Sequence, residues 1–84
     1  MFNLTAWALK INKKIDTGFK FRQKFGDCVR VHDKNNSHWQ ISNLRDYSLK
    51  WYPIEELQEF CETITHEEFE KFQIKFHKGE IDND

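Results

Sequence analysis

Two cysteines and four histidines are the residues of this chain best able to do chemistry. Cys28 and His32 are separated by three residues and Cys61 and His66 by four, spacings that superficially resemble paired metal-ligand units. Geometry argues against a metal. If Cys28 and His32 lie on one extended strand, their Cα atoms are about 13 Å apart at ~3.3 Å per residue. That is too far to share a zinc ion whose bonds are about 2.0–2.3 Å long. Cys61 and His66 flank an expected helix break and make an equally poor clamp. Catalytic constellations are also missing: there is no nucleophile elbow, and three glycines do not make a phosphate-cradling loop. The expectation is a protein that is not an enzyme and uses no cofactor or metal, with both cysteines as reduced, semi-buried thiols.

Charge is the more informative chemistry. The net charge of −1 hides a division: residues 1–52 carry ten Lys and Arg against four Asp, and residues 53–84 carry three Lys against ten Asp and Glu. Such asymmetry suits a charged partner, although two halves that neutralise each other would produce the same totals. On the basic side, Lys20, Arg22 and Lys24 share one expected strand face, with Arg30 on the matching face of the next strand and Lys10, Lys13 and Lys14 nearby. A stripe of this kind can track phosphates while an exposed aromatic ring stacks on a base. On the acidic side, Glu55, Glu56, Glu59 and Glu62 form a negative surface suited to a basic groove on another protein, where complementary fields select partners and speed encounter. Each set also reads as an ordinary solvated face, because exposed ion pairs contribute only about 0–1 kcal/mol.

The elements that must position these residues follow from periodicity. Leu4, Trp7, Ala8, Ile11 and Ile15 recur at helical intervals and predict a helix between Asn3 and Gly18, in competition with a strand-like alternation of Trp7, Leu9 and Ile11. Phe19 and Phe21 alternate with Lys20, Arg22 and Lys24, predicting a strand. Gly26 and Asp27 turn the chain into Cys28 to His32, the clearest strand, and a turn at Asp33 to Ser37 leads to a hairpin partner over His38 to Ser42. A third meander strand runs through Tyr47, Leu49 and Trp51. Pro53, which lacks an amide proton, stops the sheet and suits the first turn of a helix. Ile54, Leu57, Cys61 and Ile64 form an apolar stripe predicting a helix over 54–63. Thr65 and Glu68 have capping-box spacing and open a second helix, with Phe69, Phe72 and Phe76 on one face and Gly79 as its C-terminal stop.

Eight Phe, three Trp and two Tyr in 84 residues supply the core of a domain too short to bury much else. The reading is a single α+β domain over residues 1–79: an N-terminal helix, a three- to four-stranded antiparallel sheet and two C-terminal helices on one face, with 80–84 a frayed tail. No leader-like segment or apolar run of membrane-spanning length is visible, so a soluble, cytoplasmic protein is expected.

Gly26-Asp27-Cys28-Val29-Arg30-Val31, then Trp39-Gln40-Ile41, then Leu49-Lys50-Trp51-Tyr52-Pro53-Ile54-Glu55-Glu56-Leu57 resemble small SH3-like barrel proteins, many of them from phages and mobile elements. In that pattern a Gly-Asp turn feeds a strand, and an aromatic strand ends in a short acidic segment containing Leu. The resemblance covers residues 19–57. It implies an accessory binding protein, an adaptor or inhibitor that docks on a host protein, and carries over no functional residue. The alternative is a nucleic-acid-binding module using Lys20, Arg22, Lys24 and Arg30.

Overall fold

Leu9 and Ile11 decide how the N-terminal segment folds. Both are fully buried while Lys10 between them is exposed, so Ala8–Ile11 is a strand, β1. The computed structural model describes residues 2–13, 25–45 and 47–81. The expected N-terminal helix is therefore corrected: its helical spacing loses to alternation, because β1 is hydrogen-bonded on both sides within a sheet and burial of two large aliphatic side chains depends on that pairing. The strand expected over Phe19 to Lys24 lies outside the described residues.

The middle of the chain folds as its alternation predicts. Cys28–Lys34 (β2), His38–Ser42 (β3) and Leu49–Pro53 (β4) form an antiparallel meander continuing from β1. Asn35 closes the tight turn between β2 and β3, its side-chain oxygen accepting from the backbone amides of Ser37 and His38 at 2.9 and 2.7 Å. Tyr47, between β3 and β4, holds a left-handed φ of 57°. Pro53 ends β4 and leads directly into α1, Ile54–Phe60, whose first turn carries Glu55 and Glu56.

The helix expected over 54–63 is shorter than its stripe. Cys61 turns extended, and Cys61–Thr63 becomes β5, antiparallel to β1 with Cys61 opposite Ile11. The second helix, α2 at His66–His77, opens as predicted: the Thr65 hydroxyl accepts from the Glu68 amide at 3.2 Å. Gly79 follows its end with a left-handed φ of 77°. Among the described residues there are two helices, both after the meander, and five strands in the order β4-β3-β2-β1-β5. This corrects the expectation of three helices and a three- to four-stranded sheet.

The sheet must curl. Alpha1 alone carries the chain from one edge strand to the other. Its length with the flanking residues is about 12 Å at ~1.5 Å per residue, whereas the edges of a flat five-stranded sheet would stand about 19 Å apart at ~4.8 Å per gap. Leu9, Ile11, Val29, Val31, Trp39 and Ile41 fill the concave side, joined by Tyr52, Cys61 and the fully buried Leu57 of α1. On the convex side, Ala8 and Cys28 pack with Ile64 and Phe69 beneath α2. The two helices therefore serve opposite faces of the sheet and do not share one, as had been expected.

Asp27 and Arg45 tie these layers together. The Arg45 guanidinium donates from Nε and one terminal nitrogen to the two Asp27 carboxylate oxygens at 2.6 and 2.8 Å, with both side chains almost wholly buried. Its cationic carbon lies 5.4 Å from the ring centre of Phe76 on α2. One planar fork thus joins the turn before β2, the β3 to β4 loop and the helix.

Candidate functional site

Strand pairing places Arg30 beside Ser42 and Ser42 beside Leu49, and sets Gln40 beside Trp51, all on the convex face. His32 joins them through a 2.8 Å hydrogen bond shared between its Nε2 and the Ser42 hydroxyl. Alpha2 lies over β1 and the start of β2 and does not cover this end. Leu49 and Trp51 remain 52% and 44% exposed, and Tyr47, just before β4, is exposed as well. Strand β4 is the outermost strand of the sheet on this side among the described residues. An apolar and aromatic patch on this strand therefore leads through Pro53 into the acidic start of α1.

The predicted acidic set is only partly brought together. Glu55 and Glu59 are exposed on α1, beside this patch in the chain. Glu56 is half-buried, and its Oε1 is buried without a hydrogen-bond partner among the described residues. Glu62 is exposed on β5, where strand register sets it opposite Lys10 on the far edge of the sheet. Of the predicted basic set, Lys20, Arg22 and Lys24 lie outside the described residues, and Arg30 is exposed on the convex face.

The thiols sit on opposite sides of the sheet. Burial pushes the Cys61 thiol up to about 12, with Glu56 adding to the effect. Burial likewise pushes Cys28 up to about 11 against the opposing pull of Lys10. Thiols held protonated in this way are poor nucleophiles and poor metal ligands. His32 is engaged with Ser42, and His66 is exposed at the start of α2.

Periodicity did not reveal a further arrangement. The pairing of β2 with β3 shifts between Val31 and Asp33, and this irregularity sets Lys34 opposite Trp39. Lys34 Nζ lies 4.2 Å from the ring centre of Trp39, 4.2 Å from that of Trp7, and donates to the Leu4 carbonyl at 2.9 Å. The available signal was the break in alternation at Asp33-Lys34, after four residues of clean apolar and polar exchange. A shallow depression of about 400 Å³ is lined in part by Trp7, with Thr63 and Glu68, and another of about 420 Å³ lies beside Lys10, Phe72 and Lys75.

Compared with known protein families, curated proteins and solved structures, the chain matches none. No helix among the described residues is long and apolar enough to cross a membrane.

Proposed function

We propose that this chain is a small non-enzymatic binding protein that docks on a partner protein through the exposed end of its sheet. The observation carrying this reading is that α2 seals one part of the convex face while Leu49 and Trp51 stay half-exposed on a strand that runs directly into α1, which carries the exposed Glu55 and Glu59. A partly exposed Trp on the outermost described strand is an economical anchor, supplying apolar area to a partner. The flanking carboxylates favour a partner whose groove is rimmed by Lys or Arg.

The likeness to small SH3-like accessory proteins of phages and mobile elements supports an adaptor or inhibitor acting on a host protein in the cytoplasm. Its features have structural counterparts: Gly26, with a φ of 88°, precedes β2, and β4 with Trp51 and Tyr52 ends in an acidic helix containing Leu57. The test is affinity capture from host lysate with wild type, Leu49→Ala/Trp51→Ala and Glu55→Lys/Glu59→Lys. One partner held by wild type and lost from both variants supports the reading; identical capture by all three sinks it. The nucleic-acid alternative would show instead as a gel shift abolished by moderate salt and by reversing Lys20, Arg22 and Lys24 together.

A further inference from the structure

We propose that Trp7 and Trp39 form a cage for a quaternary ammonium group, and that Lys34 is the cation now occupying it. The two indole rings lie at the same 4.2 Å distance from one ammonium, a separation at which the negative ring faces attract positive charge strongly. Such a pair of contacts needs the lysine aimed at the same side of the sheet as Trp39. Simple alternation from Val29 and Val31 would place Lys34 on the other side. The register shift after Val31 reverses that and brings it opposite Trp39, the re-aiming of a side chain for which strand bulges are used beside functional sites.

The polar contacts identify the class of cation. Lys34 has three N–H donors, and among the described residues one finds an acceptor, the Leu4 carbonyl. The ion pairs among those residues, Arg45 with Asp27 and Lys71 with Glu67, do not include it. The site therefore offers this ammonium aromatic faces in place of a carboxylate. A methylated ammonium keeps the charge, needs no acceptor and sheds its water more readily. Partial burial works against the charged form of Lys34. Access exists on one side: Trp39 is buried and supported by Phe2 at 5.2 Å, whereas Trp7 is 47% exposed. The cage lies on the concave side of the sheet, where Trp39 pairs with Tyr52 of β4, whereas Leu49 and Trp51 face the convex side.

The test is a titration of the intact protein with tetramethylammonium chloride, followed by the indole N–H resonances of all three tryptophans, with sodium and ammonium chloride at equal ionic strength as controls. Trp51 is a matched internal reference, being 44% exposed against 47% for Trp7. The expected result is saturable shifts of Trp7 and Trp39 with tetramethylammonium alone, and a stationary Trp51. In Lys34→Ala, removal of the resident cation should tighten binding by about tenfold, and Trp7→Ala should weaken it by roughly tenfold. Equal movement of all three indoles, equal response to ammonium, or no saturable shift in wild type overturns the cage. The wild-type titration decides the matter even if Lys34→Ala fails to fold.

Discussion

Beneath α2, the convex face of the sheet is Ala8 and Cys28, packed against Ile64 and Phe69. Toward β4 the same face is Ser42, Gln40, Leu49 and Trp51, with Arg30 and His32 at its margin. The strands are continuous between the two regions, so backbone pairing does not distinguish them. Side-chain size does: small residues under the helix let it approach closely, and large or polar residues beyond it would hold a helix off. Part of one sheet surface is thus sealed beneath a helix, and the other part is not covered by α2.

The largest effect expected on the sealed side is from Arg45→Ala. It removes the bidentate partner of the buried Asp27 carboxylate, and unfolding in urea should show a loss of about 3–5 kcal/mol. Phe69→Ala removes the main anchor of α2 and should cost about 3 kcal/mol by the same measurement. A loss below about 1 kcal/mol at Phe69 would mean that α2 is only loosely attached and that the contrast between the regions is false.

The thiols give a pH-dependent test of smaller size. Both are raised in the folded state, so their contribution is fully present below the unfolded thiol range and declines as pH rises toward the folded values. Raising pH from 8 to 10 should cost about 1 kcal/mol for each thiol. Removing that component with Cys61→Ala should flatten the measured dependence. Neither cysteine should react with a thiol reagent at pH 8 until the protein is unfolded. On the bare side, Trp51→Ala should change stability by no more than about 0.5 kcal/mol while abolishing partner capture. A cost above about 2 kcal/mol would make Trp51 a structural residue and erase the distinction.

The meander was legible because Val29, Val31, Trp39 and Ile41 alternate with polar residues, and α2 because Thr65 and Glu68 carry its capping signal. The N-terminal segment was misread because Leu4, Trp7, Ala8 and Ile11 satisfy a helical period as well as Leu9 and Ile11 satisfy a strand. Only long-range pairing with β2 and β5 separates these possibilities. Cys61 was misread for the same reason: its spacing from Leu57 fits a helix, but its partner is Ile11, fifty residues earlier in the chain. Of the site, Glu55, Glu59 and Arg30 lie on the surface, while the tryptophan pair around Lys34 depends on a register shift that only the broken alternation at Asp33-Lys34 hints at. The pairing of Arg45 with Asp27 likewise joins loops whose sequences give no sign of each other.

The return of β5 to the side of β1 has a consequence for synthesis. As the chain leaves the ribosome from its N-terminus, strands β1 to β4 appear in an order that lets each pair with its predecessor. One flank of β1 nevertheless stays unmatched until Cys61–Thr63 has emerged. The nascent protein therefore passes through a stage in which a greasy, half-built trough is open at its oldest strand. Its final closure waits on the segment that carries Cys61–Thr63.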